Sequence, residues 1–216
     1  MKVAVVLAGC GFYDGAEINE AVLTLLSLEQ QGASYQCFAP DIAQRHVVNH
    51  LSGEEASGES RNVLVEAARI ARGNIKSLTG ADASGFDALL VPGGFGAAKN
   101  LSDFAFKGDA MTVQEDFLRF ARAFHQAGKP IGLICIAPAM AAAICGKGVQ
   151  CTIGNDAETA AAITAMGAEH ILCPVEKTVV DREQKLVTTP AYMLAGGVLD
   201  AYKGISNCVR DVLALL

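Results

Sequence analysis

The sequence predicts an α/β fold, a doubly wound and mostly parallel sheet with helices on both faces. Three observations predict it. Short apolar runs alternate with longer stretches of helical periodicity, the pattern of a parallel sheet covered by helices. Several of those runs stop at glycine or proline, as at Gly9, Pro40 and Pro92, residues that punctuate strand ends. No internal repeat or linker interrupts the 216 residues, so residues 1–216 are expected to form one domain.

Taken in order, residues 3–7 form the first strand. Residues 17–31 carry Ala21, Val22, Leu25, Leu26 and Leu28 on a helical face that ends at Gly32. Residues 35–38 make a second strand, and residues 41–60 are polar and irregular, an inserted excursion with at most a short helix. Residues 61–72 read as helix and residues 88–91 as a buried strand. Residues 113–127 form an amphipathic helix with Phe117, Leu118, Phe120, Ala121 and Phe124 on one side and Gly128 at its end. A strand over 131–134, a short helix over 138–144, a weak strand over 149–153 and an alanine-rich helix over 156–166 follow. Residues 175–180 and 185–188 resemble a hairpin around Asp181-Arg182-Glu183, and residues 197–215 close the chain as a helix.

Composition narrows the function. Lys and Arg number 17 against 23 Asp and Glu, a net charge of −6. With no basic run, nucleic acid is not an expected partner, because neutralising phosphates takes clustered cations. The chain is 51% hydrophobic, enough for a sizeable core and too much for disorder. Its longest uncharged stretch, residues 130–146, is broken by Pro138 and falls short of the ~20 residues that span a bilayer. The N-terminus reads as a strand rather than a signal peptide, and no membrane partner is expected. Seven cysteines, with no Cys-x-x-Cys pair, read as reduced thiols, so the expected setting is cytoplasmic.

Chemistry concentrates at three turns. In Ile131-Gly132-Leu133-Ile134-Cys135-Ile136-Ala137-Pro138 a buried strand runs into a cysteine and a helix begins almost at once. That turn would hold a nucleophile at the carboxyl edge of the sheet, with helix N–H groups to stabilise a thiolate. Equally, Cys135 reads as a small buried core residue. In Leu90-Val91-Pro92-Gly93-Gly94-Phe95-Gly96 the Gly94 N–H could join that of Ile136 in an oxyanion hole facing Cys135; an ordinary glycine turn reads the same way. Gly9-Cys10-Gly11-Phe12-Tyr13-Asp14-Gly15, followed by Glu17 and Glu20, sits where a dinucleotide fingerprint would, with Asp41 as its ribose ligand. Asp14 and Glu17 argue against it, because they put carboxylates where a pyrophosphate should meet the helix. A glutamate there serves either as an acid–base group beside a nucleophile or as a complement to the helix dipole.

The remaining residues add little. His125 falls near a helix end and His170 in a loop, away from any carboxyl strand edge. His46 and His50, four apart with Glu54 nearby, read as a solvated helix in the excursion for want of a third ligand, so no metal is expected. Cys10 falls on the same sheet edge as Cys135, as a second pocket thiol or a packed core residue.

Together these segments resemble the superfamily of PfpI-type and Parkinsonism-associated proteins, within the class I glutamine-amidotransferase-like fold, whose sheet is flavodoxin-like. Gly15-Ala16-Glu17-Ile18-Asn19-Glu20-Ala21-Val22 resembles its first helix. Asp87-Ala88-Leu89-Leu90-Val91-Pro92-Gly93-Gly94 resembles its Pro-Gly-Gly strand end, and Ile134-Cys135-Ile136-Ala137-Pro138 its nucleophile elbow. Thr188-Thr189-Pro190-Ala191-Tyr192-Met193 resembles the strand end before its last helix. Gly9-Cys10-Gly11-Phe12-Tyr13-Asp14-Gly15, Phe38-Ala39-Pro40-Asp41, Asn49-His50-Leu51 and Gly96-Ala97-Ala98-Lys99-Asn100-Leu101 are similar to the ElbB branch, described as a glyoxalase or isoprenoid-biosynthesis protein with an amidotransferase-like domain.

The resemblance implies a set of roles. Cys135 falls on the nucleophile and Glu20 on the glutamate that shares its proton, with Glu17, one helical turn earlier, as the alternative carboxylate. Gly94 and Ile136 fall on the oxyanion-hole positions. Ile136 stands where some members carry a histidine, and Thr152-Ile153-Gly154-Asn155 lacks the histidine that others place near the site. Peptidase and glutamine-hydrolysing activities are therefore not expected, since both need a base for thiol and leaving group. The implied activity is a cofactor-independent, glutathione-independent glyoxalase of hydro-lyase type. It would turn small α-oxoaldehydes, glyoxal and methylglyoxal, into 2-hydroxy acids, with a corresponding deglycase activity. The alternatives are a redox sensor or partner-binding protein acting through an oxidisable Cys135, or a regulator linked to isoprenoid biosynthesis. A homodimer is expected from the resemblance, with a small aldehyde as substrate.

Overall fold

In a computed structural model describing residues 1–216, the apolar runs become a seven-stranded sheet, helices lie on both of its faces, and the fold is flavodoxin-like. The strands are β1 (Lys2–Val6), β2 (Ser34–Ala39), β3 (Ile75–Ser77), β4 (Ala88–Val91), β5 (Ile131–Ile134), β8 (Val179–Asp181) and β9 (Leu186–Thr189); β6 (Gln150–Cys151) and β7 (Glu169–His170) pair apart from them. The order across the sheet is β3-β2-β1-β4-β5-β9-β8, parallel throughout except for the antiparallel β8–β9 edge.

Strand periodicity sorts the core into two layers. Ala4, Val6, Leu89, Val91, Ile131, Leu133 and Leu186 face one cluster, and Val3, Val5, Ala88, Leu90, Ile134 and Val187 face the other. Successive residues alternate faces because a strand repeats every two. Both faces are buried, which is why these strands read as unbroken apolar runs. The first layer is covered by α5 (Glu115–Gln126), which buries Phe117, Phe120 and Phe124, and by α6 (Ala141–Cys145). The second is covered by α1 (Ile18–Gln30), α2 (Val63–Ile70) and α8 (Val198–Leu213). At the end of α1, Gly32 adopts φ 69° while Ala33 N–H bonds back to Leu28 O, a left-handed stop that suits glycine.

Three local expectations change. Residues 41–60 hold no helix; they are turns joined by the isolated pairs Ala43–Asn62 and Val48–Glu55. His46 and His50 therefore share no helical face: His46 lies against Phe106 and Glu55, and His50 against Tyr13 and Asp14. The weak strand over 149–153 narrows to β6, and His170 lies in its partner β7 rather than in a loop. Three short elements add to the expected set: β3, α3 (Phe95–Lys99) and α4 (Phe104–Lys107); α7 (Ala157–Ala165) stands within its expected bounds.

Candidate active site

β1, β4, β5 and β9 finish at one edge of the sheet, and the winding reverses between β1 and β4, where open α/β sheets leave a crevice. The two glycine turns at this edge are laced together. Phe95 N–H donates to Phe12 O at 2.9 Å, Gly96 N–H to Gly15 O at 2.8 Å and Glu17 N–H to Gly93 O at 3.0 Å. These bonds hold the start of α1 over the end of β4. Gly11 and Gly15 spend their own amides inside the turn, on Ala16 O and Gly11 O, and buried Asp14 accepts Val48 N–H at 2.8 Å. The loop is a clasp rather than a phosphate cradle.

Cys135 follows β5 directly, with φ 63°. A residue carrying a Cβ enters that left-handed region at a cost of about 1–3 kcal/mol. Its N–H donates to Thr189 O at 3.0 Å, tying the turn to the end of β9. The residue is 7% exposed, and the Gly94 and Ile136 amides act on its sulfur in favour of the thiolate. The helix expected at once after the cysteine is a 3₁₀ turn, Ala137–Met140, before the short α6. So little helix supplies little dipole. Burial, with the charge of Glu20, outweighs the two amides and pushes the thiol well above its ordinary value. The turn's amides favour the thiolate as the sequence suggests, but burial and Glu20 outweigh them.

Glu20 is fully buried in the first turn of α1. Its Oε2 accepts Gly93 N–H at 2.9 Å and its Oε1 accepts Tyr192 N–H at 3.1 Å, and the carboxyl lies close enough to Cys135 for each to shift the other's proton affinity. Burial pushes its carboxyl up to about 7, with a smaller push from Glu17, against the pull of these hydrogen bonds. Ala191, also fully buried, takes φ 43° just before Tyr192, so a second strained residue aims an amide at the carboxylate. Glu17 is the N-cap of α1, accepting Glu20 N–H at 2.6 Å; it reaches the neighbouring cavity and makes no bond to Cys135.

Gly93 has to be glycine for contact reasons. A Cβ there would overlap Cys135 Cβ and stand 2.8 Å from Glu20 Oε2 and 2.9 Å from Ile134 O. Gly93→Ala is expected to destabilise the fold by about 2 kcal/mol, in the range of overpacked cores, and to push Cys135 and Glu20 apart. Urea unfolding with an unchanged midpoint would contradict this.

Cys135 opens into a cavity of about 250 Å³ lined by Phe12, Phe95, Phe104, Ile136, Tyr192 and Met193, with Glu17 and Thr159 as its polar members beside the thiol. No lysine, arginine or histidine lines it. Sequence reasoning missed Tyr192 and the aromatic lining, which come from four separate segments. The one available signal was that Thr189-Pro190-Ala191 ends a strand at the same edge as Cys135. Cys10 is half-buried near Glu66 and Arg69 and does not line this cavity. His125 pairs with Gln184, and His170 Nε2 accepts Ile153 N–H at 3.2 Å.

No family model matches the chain. Over 223 aligned residues it is 49% identical to the Homo sapiens glutamine amidotransferase-like class 1 domain-containing protein 3, mitochondrial, covering 99% of this chain and 83% of that one. It is 47% identical to the Rattus norvegicus ES1 protein homolog, mitochondrial, covering 99% and 84%. Among solved structures it superposes on an isoprenoid biosynthesis protein with amidotransferase-like domain from Ehrlichia chaffeensis, with TM-score 0.92, 39% identity and 100% of both chains covered. Glyoxalase III from Candida albicans shares the fold, with TM-score 0.61 and 16% identity over 100% and 97% of the chains. The names of the curated relatives correct the cytoplasmic expectation, since both are mitochondrial proteins by name. Free thiols point to a reducing compartment without saying which.

Proposed function

The chain belongs to the glutamine amidotransferase-like class 1 family of the ES1 and ElbB proteins, and on that footing we propose that it is a cofactor-independent glyoxalase. The observation that carries the proposal is the buried Cys135–Glu20 pair, in which the carboxyl is pushed up to about 7. A base poised near neutral pH can both take and return a proton during one turnover.

The reaction follows from that placement. As the Cys135 sulfur bonds to the aldehyde carbon, its proton passes to Glu20, and the carbonyl π pair becomes an alkoxide facing the Gly94 and Ile136 amides. Glu20 returns the proton to that oxygen, giving a hemithioacetal. The carboxylate then removes the hydrogen from the same carbon, and the resulting enediol is reprotonated at the neighbouring carbon. That leaves a 2-hydroxy thioester, which water cleaves to the 2-hydroxy acid and the free thiol. The net change is addition of one water, with oxidation of one carbon balanced by reduction of the other, so no redox cofactor enters.

The surroundings support an uncharged substrate. Glutamine would bring a carboxylate and an ammonium into a cavity that holds no cation and no histidine, which weighs against amide hydrolysis. Redox sensing draws no support from a buried thiol whose pKa is raised, because peroxide attacks the thiolate. The direct test is conversion of glyoxal and methylglyoxal to glycolate and lactate without glutathione. A kcat/KM of about 10⁴ M⁻¹s⁻¹, the low end for ordinary enzymes, is expected; values orders of magnitude smaller would overturn the proposal.

A further inference from the structure

We propose that the cavity beside Cys135 selects α-oxoaldehydes carrying an uncharged aromatic or branched apolar group, in preference to glyoxal and methylglyoxal. The inference rests on the glyoxalase reading and names its substrate class. The cavity has a volume of about 250 Å³, several times the ~30 Å³ that one water takes in the liquid. Glyoxal and methylglyoxal, with four and five non-hydrogen atoms, leave much of that space to water; an arylglyoxal, with ten, occupies about twice as much of it.

The lining agrees with the size. Phe12, Phe95 and Phe104 come from three different segments and surround the cavity together with Met193. Phe12 and Phe95 pack edge to face with centroids 5.5 Å apart, a geometry aromatic rings favour. Both stay about two-fifths exposed, at 43% and 40%, although each offers a large apolar surface. A site meant only to hold two or three carbons has no use for such a wall, and a substrate ring laid against it would cover it. The charge balance sets the other half of the preference. Glu17 faces the cavity with no cation among the lining residues, so a substrate bearing a carboxylate would be repelled and desolvated without a partner.

The reaction at Cys135 and Glu20 is unchanged by the larger group: phenylglyoxal plus one water gives mandelate. The experiment compares kcat/KM of the protein for glyoxal, methylglyoxal, phenylglyoxal and 4-carboxyphenylglyoxal. Since one methylene in an apolar pocket discriminates by about ten-fold or more, phenylglyoxal is expected to exceed methylglyoxal at least ten-fold, and its carboxylated analogue at least ten-fold as well. Phe104→Ala should shrink the ratio of phenylglyoxal to methylglyoxal, a quantity independent of how much of the variant is active. Should that variant not fold, alkylation of Cys135 by iodoacetamide serves instead, and acetophenone is expected to slow it where acetone does not. Turnover of glyoxal at a rate equal to or above that of phenylglyoxal, or no protection by acetophenone, overturns this inference alone. No turnover of any of the four aldehydes overturns the glyoxalase reading itself.

Discussion

Cys135→Ala is expected to lower aldehyde turnover by at least about 10³-fold, and Glu20→Gln by about 10²- to 10⁴-fold. The first removes the atom that bonds to substrate; the second removes the group that moves its protons. Because they act as one unit, the double variant should be scarcely worse than Cys135→Ala alone, since losses within such a unit do not add. The oxyanion donors survive in both variants: Gly94 and Ile136 contribute backbone amides, which neither substitution alters. The fold should survive as well. Alanine keeps the Cβ and therefore the strain of φ 63°, and loses one buried sulfur at a cost of about 1 kcal/mol. Cys135→Gly offers a control in which the strain is relieved and the chemistry is equally absent. Steady-state kinetics on purified, folded variants decides the matter. Turnover that persists in Glu20→Gln while vanishing in Cys135→Ala would reduce the site to a reactive thiol and refute the acid–base role.

The choice between Glu20 and Glu17 shows how far the sequence alone reaches. Two glutamates three apart on a helix point about 60° apart around its axis, which follows from 3.6 residues per turn. Which one meets the cysteine depends on where the helix starts, and that is set by the clasp between Phe12, Gly15, Gly93 and Phe95. Its bonds join residues some eighty positions apart, so no local pattern predicts them. Strands β1, β4 and β5 were legible because burial on both faces leaves an unbroken apolar run. β3 was not: Ile75-Lys76-Ser77 carries a single large apolar residue, and its pairing with β2 is what makes it a strand. α3 was hidden by its length and by Gly96, whose missing side chain allows Ala8 O and Gly15 to approach closely. Tyr192 was hidden for another reason. It holds Glu20 through its amide, and a backbone donor leaves no mark on residue type. The same applies to Gly93, except that its lack of a side chain is legible as glycine.

Glu20 should also make the protein less stable as pH rises from about 5 to 8. Its carboxyl has an ordinary value of 4.5 and sits at about 7 in the fold, raised chiefly by burial. Between those values the folded protein holds a proton that the unfolded chain has released, so stability falls as pH rises. The contribution is fully present below 4.5 and gone once pH has passed through about 7. The gap, at about 1.4 kcal/mol per pH unit, amounts to about 3 kcal/mol. Cys135 does not disturb this window, because its raised value places its own titration above it. Urea unfolding at pH 5 and pH 8 measures the wild-type loss, and Glu20→Gln supplies the reference in which this loss is absent. The comparison uses the difference between the two pH values, because glutamine carries its own cost: its NH₂ must face either Gly93 N–H or Tyr192 N–H, donor against donor. That cost is the same at both pH values and cancels. Parallel pH dependence in wild type and variant would mean that Glu20 is already ionised at pH 5, and a carboxylate of such low proton affinity would be a weak base for the Cys135 thiol at neutral pH. Stability and catalysis therefore test one property, the proton affinity that burial gives to Glu20.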